Sequence, residues 1–224
     1  MAARFVFFDV GNTLLFADHS RTLAPLLEAG FQPQAGQLYA AERAAKRRMD
    51  ISIESRLPGQ PVDGDYWSIY YSLLLDALQA PASLIPSLVA ATRRSSNWNQ
   101  LRPGTKETLQ AIRESGRRLG VISNSDGHIE DLVRSVGLGE CFDSFTDSAL
   151  VGSEKPDAGI FQHALASLGA PAGESIYLGD VYSVDYLGAK RVGMGAVLMD
   201  VAGAYSDAGF PRVESLEEFR LSAI

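Results

Sequence analysis

The sequence predicts an α/β fold, a parallel sheet covered by helices on both faces, with a helical insertion after its first strand. Short apolar runs that end in turn residues supply the strands, and amphipathic stretches between them supply the helices. A span from about residue 17 to residue 97 carries helical patterns and no strand pattern, which marks the insertion.

Residues 4–8, RFVFF, form the first predicted strand. Their apolar, aromatic and β-branched content suits a strand buried on both faces, and Asp9, Gly11 and Asn12 close it. In the insertion, helical patterns lie near residues 20–29, 34–50, 65–79 and 83–95. Pro58-Gly59 and Pro61 separate the second from the third, and Pro81 separates the third from the fourth. Trp67, Tyr70, Tyr71 and Leu74 recur at helical spacing and are expected to form the core of a small bundle. Arg43, Lys46, Arg47 and Arg48 make a basic cluster, read either as a solvated face or as a surface toward an anionic substrate.

Beyond residue 97, strands and helices alternate. A helix over 105–115 carries Leu109 and Ile112 on one face, and Gly116 is placed to end it. The strand RRLGVISN (117–124) follows, then a helix over 126–136 with Ile129, Leu132, Val133 and Val136. Next come the strand CFDSFTDS (141–148) and a helix over 157–168 that Asp157 is placed to cap. The strands SIYLGD (175–180) and GAVLMD (195–200) complete the series. The organisation expected is a Rossmann-like core of residues 1–16 and 98–224, interrupted by a helical-bundle cap over 17–97.

Composition narrows the function. The chain has 224 residues, 46% hydrophobic and 21% charged, enough to fill a sizeable core. A formal net charge of -7 argues against a nucleic-acid partner. The single cysteine, Cys141, allows neither an internal disulfide nor a cysteine-rich metal site. The first apolar run meets Asp9 too early to span a membrane and has no basic region ahead of it, so a cytoplasmic location is expected.

In open parallel sheets, ligands bind beyond the carboxyl ends of the strands. The polar residues that end these strands are therefore candidates for one site. They are Asp9, then Ser123 and Asn124, then Gly179 and Asp180, with Lys155 in the loop SEKPD. Singly each has an ordinary structural explanation: Lys155 a surface lysine, Ser123 a buried hydroxyl, Asp185 a helix cap. The ordered set Asp9-x-x-x-Thr13, Ser123-Asn124, Lys155-Pro156-Asp157 and Gly179-Asp180-x-x-x-x-Asp185 is much harder to reach by chance.

That set resembles the haloacid dehalogenase-like hydrolases, in the subgroup whose cap is a helical insertion after the first strand. FFDVGNTLL is similar to the family's first motif, VISN to its second, EKPD to its third and LGDVYSVD to its fourth, so the likeness runs along essentially the whole chain. The resemblance implies that Asp9 is a nucleophile toward phosphorus and that Thr13 steadies its loop. It implies that the Ser123 hydroxyl and the neighbouring backbone of Asn124 hold a transferring phosphoryl oxygen, and that Lys155 offsets charge on both nucleophile and phosphate. It also implies Mg²⁺, held by Asp9, by the backbone carbonyl of Gly11, and by Asp180 and Asp185. These residue types suit phosphoryl transfer, which needs cations and donors around the equatorial oxygens. The implied partner is a small phosphorylated metabolite.

One position departs from the pattern. Phosphatases of the family usually carry a second aspartate two residues after the nucleophile, where this chain has Gly11. That carboxylate protonates the leaving group and then activates water, help worth about 10² to 10⁴ in rate. Asp18, His19 and His128 are the candidates to replace it. The readings that follow are a phosphatase suited to good leaving groups, a haloacid dehalogenase, a phosphonoacetaldehyde-hydrolase-like enzyme using Lys46 as a Schiff base, and a non-catalytic binding protein. The intact pair Asp180 and Asp185 favours the first over the second.

Overall fold

Strand β1 (Phe5–Phe8) is buried along its whole length, because it lies at the centre of the sheet with apolar layers on both sides. The computed structural model describes residues 3–54 and 66–222, so the predicted break at Pro58-Gly59 and Pro61 lies outside the described residues. After β1 come β2 (Leu15–Phe16) and five helices: α1 (His19–Thr22), α2 (Ala24–Glu28), α3 (Ala35–Glu54), α4 (Tyr66–Leu78) and α5 (Ile85–Thr92). The chain continues through β3 (Gln100–Leu101), α6 (Thr105–Glu114), β4 (Arg118–Ser123), α7 (Ile129–Ser135), β5 (Ser144–Asp147) and α8 (Ser148–Val151). The last stretch holds α9 (Ala158–Leu168), β6 (Ser175–Gly179), a π-helical turn (Tyr182–Tyr186), α10 (Leu187–Arg191), β7 (Gly195–Met199), β8 (Arg212–Val213) and α11 (Leu216–Ser222).

Six strands form one parallel sheet in the order β5-β4-β1-β6-β7-β8. Alternate side chains of β1 face opposite layers, as the pleat requires. Val6 and Phe8 pack with Leu109 and Ile112 of α6, Val133 of α7 and Phe219 of α11. Phe5 and Phe7 pack with Ile160 and Phe161 of α9 and with Ala189 of α10. The chain leaves β1 toward β4 on one side, and β6 pairs on the other, so Asp9 stands at a topological switch point.

Helices α1–α5 pack around a core of their own, with Leu26, Tyr70, Tyr71, Leu74 and Leu88 buried in it. Three of the four residues expected there are therefore buried, and Trp67 packs at the margin. The helix expected near 20–29 is two short ones, since Pro25 has no amide hydrogen with which to continue the first. The strand expected from 141 starts at Ser144, because Gly139–Cys141 is a 3₁₀ turn. The antiparallel ribbon of β2 and β3 joins the helical layer to the sheet, with Leu15 paired to Leu101. No helix among the described residues is long and apolar enough to cross a membrane.

Candidate active site

The register of β1 sets Phe8 opposite Val121 of β4 and Leu178 of β6, so the carboxyl ends of these three strands lie within one residue of the same level. The residues there are Asp9, Ser123 and Asp180, all buried. The Asp9 amide donates to the Leu178 carbonyl at 2.8 Å, which continues the sheet to the carboxylate itself. Asn12 then takes a positive φ of 53°, a left-handed geometry that asparagine tolerates better than most residues. Its Nδ2 donates to Asp180 Oδ2 at 3.3 Å.

Lys155 brings the third loop into the cluster. Its Nζ donates to Asp9 Oδ1 at 2.6 Å, to Asp185 Oδ1 at 2.7 Å and to the Tyr177 hydroxyl at 2.9 Å. Asn124 holds that loop by its backbone, with Nδ2 donating to the Lys155 carbonyl at 3.0 Å and Oδ1 accepting from the Lys155 amide at 2.8 Å. Asp185 sits in the π-helical turn, and its Oδ2 accepts from the amides of Asp180 and Val181 at 3.1 and 2.9 Å. Gly179 makes room for this. A Cβ there would stand 2.5 Å from the Asp185 carboxyl carbon, a distance no side chain allows. The Thr13 hydroxyl is buried with no hydrogen-bond partner among the described residues.

Burial dominates the electrostatics. Desolvation pushes the pKa of Asp9 up to about 7, with Lys155 acting against it and Asp185 and Asp180 adding to it. Desolvation likewise raises Asp180, against the pull of Lys46. The Asp9, Asp180, Asp185 and Glu42 carboxylates share the two ammonium groups of Lys155 and Lys46, so with all four ionised an excess of two negative charges remains for a cation to offset. One oxygen from each of the three aspartates lies within 4.8 Å of the others. Hard oxygen donors at that spacing, short of positive charge by two, fit a small divalent cation such as Mg²⁺.

The opposite wall comes from α3. Arg43, Lys46, Arg47 and Asp50 fall at i, i+3, i+4 and i+7, one face of the helix, and all four bond to the sheet side. Arg43 donates to the Ala202 carbonyl at 3.0 Å, and Arg47 donates to the Ala204 carbonyl at 2.8 Å and pairs with Asp207 at 2.6 Å. Asp50 accepts from the Ser183 amide at 3.0 Å and from the Tyr205 hydroxyl at 2.7 Å. Lys46 is 1% exposed and sits 3.0 Å from Asp180 Oδ2 and 2.9 Å from Glu42 Oε1. Burial opposes its charge, but Asp180 and Glu42 outweigh burial and hold the ammonium protonated. Of the basic cluster, Lys46 alone is buried; Arg43, Arg47 and Arg48 are exposed, and Arg43 and Arg47 spend their donors on the sheet side. These contacts dock the helix.

Gly11 carries no positive φ, and its open side is covered by Trp98: a Cβ there would lie 3.4 Å from the indole ring. Trp98 is itself anchored, its Nε1 donating to the Thr92 carbonyl at the end of α5 at 2.7 Å. A Cβ at position 11 would thus touch the indole at ordinary van der Waals distance, and the ring borders the space a longer side chain would enter. Of the candidate replacement acids, His19 lines a small cavity beside Asn12. Asp18 caps α1 through Ser20, and His128 lies 3.9 Å from Asp131.

The structure thus gathers Asp9, Lys155, Asp180 and Asp185 into one bonded cluster, with Ser123 at the end of β4 and Gly11, Thr13 and Asn124 in the loops around it. Glu42, Asp50, Tyr66, Trp98 and Tyr177 join them and were not singled out from sequence for the site. The polar stripe on α3 was the available signal, since four charged residues on one helix face beside the apolar stripe of Ala41, Ala45 and Met49 can mark a docked surface.

Comparison with known proteins agrees with this arrangement. A family model described as haloacid dehalogenase-like hydrolase matches residues 3–193. The chain is 31% identical over 206 residues to haloacid dehalogenase-like hydrolase domain-containing protein 3 of Bos taurus, covering 88% of this chain and 81% of that protein. It is 30% identical over 200 residues to a glyceraldehyde 3-phosphate phosphatase of Methanothermobacter thermautotrophicus, covering 87% and 84%. A solved HAD phosphatase from Thermococcus onnurineus superposes with a TM-score of 0.59 at 25% identity, over 100% of this chain and 99% of that one.

Proposed function

The chain belongs to the haloacid dehalogenase-like hydrolase family, and from that premise we propose that it is a Mg²⁺-dependent phosphatase acting through a phosphoryl group on Asp9. The observation that carries the reading is the buried trio of Asp9, Asp180 and Asp185, threaded by Lys155 and two positive charges short. A relative of similar length named as a glyceraldehyde 3-phosphate phosphatase supports the choice of a phosphorylated small molecule as substrate. Residues 17–97 would act as a cap over a core of 1–16 and 98–224.

In this reading the Asp9 carboxylate attacks phosphorus, the bond from phosphorus to the leaving oxygen breaks, and water then hydrolyses the acyl phosphate on Asp9. Lys155 lies 2.6 Å from the attacking carboxylate and offsets its repulsion from a phosphate. Ser123 and the Asn124 backbone end the neighbouring strand, placed to hold a phosphoryl oxygen, and Asn124 fixes the Lys155 loop. Asp9, Asp180, Asp185 and the Gly11 carbonyl would hold Mg²⁺, which when bound supplies charge to keep Asp9 ionised and to neutralise the phosphate. With glycine at position 11, the departing oxygen draws its proton from solvent water, so good leaving groups such as acyl and aryl phosphates react fastest.

The alternatives fit the site less well. A haloacid dehalogenase has no use for the acidic pair beside Asp9, because halide leaves without a proton or a metal. A Schiff base on Lys46 needs a free amine, and Asp180 and Glu42 keep this one charged. The test is phosphate release from a panel of phosphorylated metabolites with and without Mg²⁺, beside halide release from a 2-haloacid. Mg²⁺-dependent phosphate release, with a phosphoryl adduct on Asp9 after acid quench, is expected. Halide release without phosphate release would overturn the reading.

A further inference from the structure

The two ammonium groups of the cluster serve different carboxylates. Lys155 has three N–H donors, and it spends them on Asp9, Asp185 and Tyr177. Asp180 is left to Lys46, which reaches it from α3 at 3.0 Å, and among the described residues no other cation pairs with Asp180. Lys46 also has a partner on its own helix, Glu42 Oε1 at 2.9 Å. Its flexible four-carbon stem lets the head rest on Glu42 alone, an ordinary i,i+4 pairing. Glu42 lies nearer solvent, 16% exposed against 1% for Lys46.

Charge balance drives Lys46 toward that second position once a divalent cation is present. With Asp9, Asp180 and Asp185 ionised and Lys155 among them, the strand ends hold two negative charges in excess, and these draw Lys46 across from α3. A divalent cation on the three aspartates brings that sum to zero, and Lys46 with Glu42 sums to zero by itself. An ammonium 3.0 Å from a carboxylate oxygen also repels a cation bound to the same carboxylate. Burial leaves little water or salt to screen the two.

We propose that Lys46 and Mg²⁺ compete for Asp180, with Mg²⁺ displacing the ammonium onto Glu42, so that metal binding and the seating of α3 against the strand ends oppose each other. The proposal rests on the Mg²⁺ site of the reading above. Linkage makes the effect reciprocal: Lys46 weakens Mg²⁺, and Mg²⁺ frees Lys46. Two measurements on the full chain, with Mg²⁺ alone and no substrate, test it. In titration calorimetry, Lys46→Met is expected to bind Mg²⁺ about tenfold or more tighter than the wild type, because the competing charge is gone. An equal or weaker Kd in folded variant would show that Lys46 supports the metal site, and overturns the proposal. In the wild type, labelling of Lys46 by acetic anhydride, read by peptide mass spectrometry, should rise several fold on adding Mg²⁺, relative to the exposed Lys106. Labelling that Mg²⁺ leaves unchanged or lowers also overturns the proposal, and this measurement decides alone should the variant not fold. If neither protein binds Mg²⁺, the metal reading falls and this proposal with it, a result distinct from binding that Lys46 does not affect.

Discussion

The two walls of the cleft are built by opposite means. On the sheet side, Asp9, Ser123 and Asp180 stand at the ends of β1, β4 and β6, and Lys155 and Asp185 reach them from the loop before α9 and the π-helical turn. On the helical side, one face of α3 supplies Lys46, Arg43, Arg47 and Asp50 at successive turns, with Glu42 beside them. The first wall is rigid because moving a group at a strand end means moving a buried strand. The second is attached by ion pairs and hydrogen bonds from one helix face, several of them buried. On the phosphatase reading, the contrast would leave chemistry to the strand ends and give α3 the task of holding the helical layer against them.

The largest expected effect falls on the sheet wall. Asp9→Asn should lower phosphate release by about 10⁴-fold or more, since an amide of equal volume is a far poorer nucleophile. The same variant carries a stability signature. Asp9 is raised from its ordinary 3.8 to about 7, so the folded state binds more protons than the unfolded state between those values. Its contribution to stability is full below the lower value and is lost as pH rises through the upper one. Without divalent cation, Asp9→Asn should therefore gain on the wild type in denaturant melts as pH rises from about 4 to about 7, and hold that gain above. Added Mg²⁺ should shrink that gain. A variant that tracks the wild type at every pH would mean that Asp9 is not the strained carboxylate described above.

Lys46→Met tests the other wall. It leaves Glu42 and Asp180 without their shared cation, a loss of about 3 kcal/mol in metal-free protein. Mg²⁺ should recover part of it, and turnover at saturating Mg²⁺ should fall far less than in Asp9→Asn. Loss of turnover as complete as that of Asp9→Asn, in folded protein, would place α3 in the chemistry and end the division of labour. The smallest effect is expected at Asp50→Asn, which weakens the bonds from Ser183 and Tyr205. About 1–2 kcal/mol in urea unfolding is expected, with kcat changed by only a few fold. A large fall in Mg²⁺ affinity instead would show that α3 sets the geometry of the turn carrying Asp185.

This division also explains what could be read without coordinates. The sheet wall was legible because Asp9 and Asp180 follow apolar runs that announce strand ends and Lys155 and Asp185 stand at fixed spacings in short motifs, and the four do converge. Strands β2, β3 and β8 have two residues each, too few for any periodicity to show. The role of α3 was hidden for a different reason. A polar helix face reads as solvated unless one knows what packs against it, and the partners at 180–186 and 200–207 are more than 120 residues away in sequence. The Trp98 ring over Gly11 is likewise a contact between distant loops, invisible to any local pattern.

The sequence contains two tryptophans, and both stand in the wall of the small cavity, their rings 5.5 Å apart. All the indole emission of the molecule therefore originates beside the loop that follows Asp9. Intrinsic fluorescence and the near-ultraviolet dichroism of this tilted ring pair report directly on the cleft, without a label. The nucleophile can be disabled and the signal kept, so ligands could be titrated optically against a chain that cannot turn them over.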